Sequence, residues 1–201
     1  MFHRFGRTIP ALAAALVVGL FGAGSFALAG EDSSNHHGWW GHGHGQGHGH
    51  KACHGKHVSG LDERWLKVHI ETNLFEIQGG EAALDLATSD EVLDLAEHLV
   101  ADHTVALAEA TALAERLGVE VPAAPSPLQQ WALRAVQTFR GSDFDRWFAD
   151  LQVEGHRQAI IEAQTEVAKG CNRKVRNLAA ASLPVLEEHL AQAEEALEPS
   201  S

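Results

Sequence analysis

The chain has 201 residues, with 27 acidic residues against 15 basic ones and a formal net charge of -12. This length predicts one globular domain with extensions. The acidic balance argues against binding to nucleic acid, whose phosphates are held by clustered Lys and Arg, and against an anionic membrane surface as a partner.

Residues 1–29 have the composition of a signal peptide. Two arginines precede an apolar run that ends at Leu28, and Ala27 and Ala29 fit the small-residue rule of the peptidase. This pattern predicts export to the periplasm or the medium, with cleavage before Gly30 and no stable membrane insertion afterwards. The alternative is an uncleaved anchor, because the apolar run approaches the roughly 20 residues that span a bilayer.

Residues 30–60 form a tail rich in Gly, His and Ser. Its few aliphatic residues cannot bury enough surface to offset chain entropy, so the tail is predicted to be disordered. Deleting residues 31–60 should then leave the helices and their melting nearly unchanged. The tail also contains the first set of candidate metal ligands, which are His36, His37, His42, His44, His48, His50, Cys53, His54 and His57.

The tail holds eight of the 14 histidines, separated mainly by glycine. Neutral imidazole binds Ni²⁺, Cu²⁺ and Zn²⁺, and glycine lets several rings converge on one ion, so the tail is predicted to bind a divalent transition metal of unspecified identity. The alternatives are a solvated linker of biased composition and a pH-sensing tail. Cys53 offers a thiolate for Zn²⁺ or Cu(I). Cys53 and Cys171 could form a disulfide or remain free thiols, and the sequence leaves both alternatives open, since an exported protein permits either.

From Leu61 onward apolar residues recur at helical spacing. A first helix is predicted over residues 61–87, with a kink or break at Gly79 and Gly80. Thr88, with an acid three residues later, predicts the cap of a second helix that ends at Gly118. The inward seam of that helix is Val92, Ala96, Leu99, His103, Ala106, Ala110, Leu113 and Leu117.

Three further helices are predicted after the second helix. Ser126 and Pro127 begin a short helix that ends near residue 141. Ser142 with Asp145 begins a long helix to about residue 169, and Asn172 caps the last one, in which a proline at 184 is expected to cause a bend. The fold class is therefore all-α: an antiparallel four-helix bundle of ferritin-like kind over residues 61–198, with one extra short helix and a disordered N-terminal tail.

Four segments together resemble a known family. They are Asn73 to Ile77, Ala83 to Val121 with its Asp102-His103 pair, Phe144-Asp145 leading to His156, and Leu183-Pro184 leading to His189. In order and spacing they are similar to the ferritin-like bundle family of exported bacterial proteins known as domain of unknown function 4142. The resemblance covers roughly residues 62–197 and implies fold and location but no biochemical role. The His/Gly tail lies outside the family pattern.

A second set of candidate metal ligands lies on the helices. His103, His156 and His189 occupy the inward stripes of three helices, and Glu76 lies near the corresponding face of the first. One ligand from each of four helices is how metal sites in bundles are assembled. The helical period therefore predicts that the three imidazoles lie near one another inside the bundle.

Two observations limit this interpretation. A ferritin-type di-iron centre needs a Glu three residues before a His on two helices, whereas Val100, Val153 and Leu186 occupy those positions here. In addition, buried histidines commonly serve the fold alone, each donating to a carboxylate or carbonyl. The carboxylates predicted as such partners are Asp102, Glu162 and Glu188.

The preferred functional hypothesis is an exported, non-enzymatic protein that binds or buffers metal ions through its tail. The alternative is an envelope stress or interaction protein with a structural bundle, an unknown protein partner and no physiological metal. A metal-dependent oxidoreductase is the third hypothesis. Nucleophilic catalysis has no support, because the sequence contains neither a G-x-S-x-G motif nor a phosphate-binding loop.

Overall fold

The computed structural model of the protein describes Cys53 and residues 55–198. The predicted signal peptide lies outside these residues, as do seven of the tail ligands, namely His36, His37, His42, His44, His48, His50 and His54. Five helices follow in chain order: α1 (Gly60–Leu86), α2 (Asp90–Leu117), α3 (Pro127–Val136), α4 (Ser142–Lys169) and α5 (Arg173–Glu195). The described part is thus all-helical, apart from one isolated bridge between Gly55 and Asn172. No helix in this part is long and apolar enough to cross a membrane.

The helices pack as a bundle in which α1 lies mainly on α2 and α4 mainly on α5. Contacts of α2 with α5 and of α1 with α4 join the two pairs. The buried apolar side chains form two clusters. One contains Phe75, Leu99 and Phe148, and the other contains Leu66 and Val175. The bundle therefore has an apolar core at each end.

Helix starts agree only in part with the predicted caps. Ser126 and Asn172 cap α3 and α5 as expected. The cap of α2 is Ser89, and the prediction of Thr88 was wrong. The Thr88 hydroxyl instead donates to Asp145 Oδ2 at 2.6 Å and its backbone N–H to Asp145 Oδ1 at 2.9 Å. Asp145 was predicted to support the start of α4, but it serves this tertiary contact between two helix ends.

The predicted break at Gly79 and Gly80 does not occur, because α1 runs through both residues. Only Gly80 is needed for packing. A Cβ added to Gly80 would lie 2.7 Å from Val100 Cγ2 and 3.0 Å from the Ala96 carbonyl oxygen, so Gly80 allows α2 to approach closely. A Cβ added to Gly79 would meet nothing nearer than Phe148 at 3.7 Å, which is ordinary contact.

The atoms around Gly79 and Gly80 predict opposite effects on stability when each glycine is replaced by alanine. Gly80→Ala should lower the free energy of unfolding by about 1–3 kcal/mol, because Val100 and the α2 backbone must shift. Gly79→Ala should raise it by up to about 1 kcal/mol through better helix propensity. Urea unfolding of the two variants checks this, and a loss of stability in both would contradict the packing argument.

The segment before α1 is attached to the turn between α4 and α5. Cys53 and Cys171 form a disulfide, with their Cα atoms 4.9 Å apart. Arg173 N–H donates to the Gly55 carbonyl at 3.1 Å, and the Asn172 amide donates to the Lys56 carbonyl at 3.1 Å. The segment attached to the bundle therefore begins upstream of residue 61, the predicted start of the domain. The disulfide also means that Cys53 is not a metal ligand in the oxidised protein, contrary to the prediction, because its sulfur offers no thiolate.

A buried pair of acids lies beneath this attachment. Asp62 accepts from the backbone N–H groups of Cys171 and Asn172, both at 2.9 Å, and from Ser59. Burial alone would raise the pKa of Asp62, but these hydrogen bonds outweigh it and lower the pKa below its usual value. Burial, together with the neighbouring Asp62, raises the pKa of Glu166 to about 8. Glu166 is therefore protonated at neutral pH.

Glu166 should make stability depend on pH. Its folded-state pKa of about 8 lies above its ordinary value of 4.5, so the folded chain keeps a proton that the unfolded chain loses between these values. Stability contributed by this proton is complete below about pH 4.5 and is lost as the pH rises through 8. We expect Glu166→Gln to flatten the fall in unfolding free energy between about pH 5 and pH 8.5. Identical pH slopes in the two proteins would disprove this account.

Candidate metal centre

Three of the predicted ligands meet in the middle of the bundle. His103 on α2, His156 on α4 and His189 on α5 are each at most 4% exposed. Their ring centroids lie 5.2 to 6.0 Å apart. One ring nitrogen from each lies within 4.8 Å of the other two. The structure thus brings the three histidines together, whereas Glu76 is buried but is not a member of this cluster.

The cluster forms a polar layer between the two apolar cores. On α2, His103 lies between Leu99 of one core and Ala110 of the other. The same order holds on α4, where Val153 and Ala163 flank His156 in the two cores. Apolar packing on both sides therefore holds the imidazoles in place and keeps bulk water away.

The hydrogen bonds of Asn73 determine which nitrogen of His103 carries a proton. The Asn73 Nδ2 donates to the His69 carbonyl at 2.7 Å, which fixes the orientation of the amide. Its Oδ1 therefore faces His103 Nδ1 at 2.7 Å and can only accept. His103 Nδ1 is the donor of this bond, so the lone pair of the neutral ring lies on Nε2.

The other two rings are held in the same way. His156 Nδ1 donates to the Gln152 carbonyl at 2.9 Å, and His189 Nε2 donates to Asp102 Oδ2 at 3.0 Å. Both acceptors lack a proton to give, which fixes the tautomers. Asp102 is thus a partner as predicted. Glu162 is not, because it accepts from Gln158 at 3.0 Å; Glu188 acts on His189 only through its charge.

Each ring keeps one buried nitrogen with no protein partner among the described residues: Nε2 of His103, Nε2 of His156 and Nδ1 of His189. Burial lowers the pKa of all three histidines, and for His103 and His156 the neighbouring imidazoles lower it further. The pKa of His156 falls to about 4. All three rings are therefore neutral at pH 7 and present lone pairs without a donor, which is unfavourable in a protein interior.

A second polar pair lies one helical turn from the cluster. Glu76 follows Asn73 by three residues on α1, and Gln152 precedes His156 by four on α4. Burial raises the pKa of Glu76 to about 8, and the Gln152 amide lowers it in part. Glu76 is thus uncharged at neutral pH. Glu76 Oε2 and both amide atoms of Gln152 nevertheless have no partner of good hydrogen-bond geometry in the described part of the chain.

A small cavity lies one turn from the cluster on the opposite side. It has a volume of about 20 Å³, enough for roughly one water. Its walls come from α1, α4 and α5 and include the polar side chains of His69, Thr72, Glu162 and Ser182. His69 stacks on Trp65 at 4.7 Å, and burial lowers the pKa of His69 to about 4.

Sequence reasoning missed three residues of this region: Asn73, Gln152, whose backbone carbonyl accepts from the ring of His156, and His69. A usable signal existed for Asn73, since a helix interior rarely buries an amide without a partner. It lies three residues before Glu76, on the same face as the predicted site. No comparable signal exists for a backbone carbonyl.

Two tail residues predicted as ligands, Cys53 and His57, are remote from this cluster. Cys53 and His57 are both exposed and lie near the start of α5. His189 follows that start by roughly 16 residues, which is a rise of about 24 Å along a helix. A metal bound at His57 and a metal bound by the bundle cluster would therefore occupy separate sites.

Comparison with known proteins identifies the domain. A family model described as a domain of unknown function (DUF4142) matches residues 49–196. The chain belongs to the DUF4142 family. No curated protein and no solved structure matched it. The DUF4142 match begins just before Cys53, so the disulfide-bearing segment is part of the domain together with the helices.

Proposed function

We propose that this protein binds one divalent transition-metal ion on His103, His156 and His189. The observation that carries the proposal is the set of three buried lone pairs that converge without a hydrogen-bond donor from Cys53 or residues 55–198. Neutral imidazole nitrogens suit Zn²⁺, Cu²⁺ and Ni²⁺. Hydrogen bonds from the outer nitrogens to Asn73, Gln152 and Asp102 orient the rings, as they do in metal sites generally.

A purely structural role accounts less well for this arrangement. The outer nitrogen of each ring already has its partner, so the fold gains nothing from turning the inner nitrogens toward one another. Unpaired buried acceptors cost free energy. A bound cation turns the same three atoms into ligands. We do not assign a di-iron centre, because Val100, Val153 and Leu186 occupy the positions where its glutamates would be.

We also propose export and an antiparallel four-helix arrangement of ferritin-like kind. The disulfide supports export, because such bonds persist in oxidising compartments. The Thr88–Asp145 contact and the Asp62–Cys171 contact support the arrangement, since each joins an end of α1 to the opposite end of α4. The histidine-rich composition of the tail supports a second site that would buffer the same ions.

Metal stoichiometry tests the bundle site. We define the tail-silent chain as the full chain with its eight tail histidines, which lie between residues 36 and 57, replaced by asparagine; Cys53 is retained. After incubation with Zn²⁺ and desalting, it should hold about one equivalent of metal by elemental analysis. His156→Ala should lose it. His98→Ala, an exposed histidine on α2, is the matched control and should retain it.

Two results would refute the proposal. The first is a tail-silent chain that holds no metal. The second is metal binding that survives His103→Ala, His156→Ala and His189→Ala alike.

A further inference from the structure

We infer that the bundle site leaves one coordination position open for a small exogenous donor, either water or a small monodentate anion. The inference rests on the proposed function and deepens it. A site closed by protein ligands serves structure, whereas a site of three protein nitrogens with an open position can bind and activate a small molecule.

The first step is the number of available donors. Among residues 55–198 and Cys53, only three His, Cys, Asp or Glu residues form a group with ligand spacing. The Asp102 carboxylate is held by the outer nitrogen of His189, on the side away from the lone pairs. A four-coordinate ion therefore needs a fourth ligand from outside this group.

The second step concerns Glu76, which had been the predicted fourth ligand. Its absence from the cluster disfavours direct coordination. Glu76 Oε2 and the Gln152 amide instead lie buried beside each other one turn away, without a partner of good hydrogen-bond geometry among the described residues. Such groups require a hydrogen-bond partner. A water or anion on the ion would supply it, so Glu76 and Gln152 act as positioning residues for the exogenous ligand.

The third step is size. The three imidazoles lie between the two apolar cores, and each is at most 4% exposed. The cavity of about 20 Å³ lies on the side away from Glu76 and Gln152, and none of the three histidines lines it. Because the space around the cluster is enclosed by packed side chains, the exogenous ligand is limited to a few atoms.

Cobalt substitution tests the open position directly. The tail-silent chain is loaded with Co²⁺, whose visible absorption reports coordination number and ligand exchange. Sodium azide, a linear monodentate anion, is then titrated. We expect a saturable spectral change with about one azide per Co²⁺. Gln152→Leu should weaken azide binding about tenfold, measured per bound Co²⁺, because it removes the hydrogen-bonding amide and keeps the backbone carbonyl that orients His156.

Each remaining outcome decides between the two claims. Stoichiometric Co²⁺ with a spectrum that azide never changes would overturn the open position and leave the metal site standing. A spectrum altered by Glu76→Gln together with no azide response would identify Glu76 as the fourth ligand, which also overturns it. Failure to bind Co²⁺ at all would overturn the proposed function as well. His98→Ala should behave as the tail-silent chain throughout.

Discussion

Zn²⁺ at about 100 times its dissociation constant is expected to raise the melting temperature of the tail-silent chain by about 5–10 °C. An ion that binds only the folded state adds about 2.7 kcal/mol to the free energy of unfolding at that excess. A chain of this size gains about 2–4 °C per kcal/mol. The unfolded chain has no preformed arrangement of the three helices, so nearly all of this stabilisation should appear. Differential scanning calorimetry with and without Zn²⁺ measures it.

The histidine variants separate metal binding from fold stability. His103→Ala should abolish the metal-induced shift and also destabilise the metal-free protein by about 1–3 kcal/mol, because Asn73 Oδ1 loses its donor. His156→Ala should abolish the shift at a smaller cost, since its acceptor is a carbonyl of its own helix. His98→Ala should keep the full shift. A shift of equal size in all of these variants would mean that Zn²⁺ stabilises the protein elsewhere.

Much of the fold was predictable because helical periodicity is a local property. The α2 seam is an example, since Val92, Leu99, His103 and Leu113 are all buried as predicted. Glycine at 118 closes α2 in the left-handed conformation, also as predicted. These features depend on residues within a few turns of one another, and the amphipathic pattern contains that information.

The incorrect predictions share a physical cause. Thr88 and Asp145 both fit a capping pattern locally, but a contact between them across 57 residues stabilises both helix ends at once. Gly80 was interpreted as a helix breaker because propensity considers one helix alone, whereas the close approach of Ala96 and Val100 requires a residue without a Cβ. Tertiary packing overrode the local preference in each case.

The sequence was sufficient to predict which histidines form the candidate centre and which helix faces carry them, but not which ring nitrogens would bind a metal. Helical spacing was enough to bring His103, His156 and His189 together. It could not assign the tautomers, because these depend on where Asn73 and Asp102 meet the rings from other helices. Helical spacing also placed Glu76 among the ligands. Glu76 does face the interior, but it is not a member of the histidine cluster. Distances between helices decide that difference.

The attachment of the N-terminal segment changes one expectation. Deleting residues 31–60 was predicted to leave melting unchanged, but that deletion removes Cys53, the bonds of Gly55 and Lys56, and the Ser59 cap of α1. It should therefore destabilise the bundle. A deletion that ends before residue 52 keeps the disulfide and is the suitable test of the tail alone.

Removing the disulfide is expected to have the second large effect. The double variant Cys53→Ser and Cys171→Ser should lose about 2–4 kcal/mol of unfolding free energy. The bond closes a loop with a sequence separation of 118, so most of the stabilisation arises from constraint of the unfolded chain. Guanidinium unfolding of the variant and of the oxidised protein measures the difference.

The reduced protein provides the matched control, because it retains both cysteines and lacks only the bond. It should match the double variant to within about 0.5 kcal/mol if the sulfur atoms have no other role. Metal content should not change in either form, since the histidine cluster lies about 24 Å from the bond along α5. A double variant as stable as the oxidised protein would contradict the constraint argument. Loss of the bundle metal on reduction would show that the attachment at Asp62 controls the site from a distance.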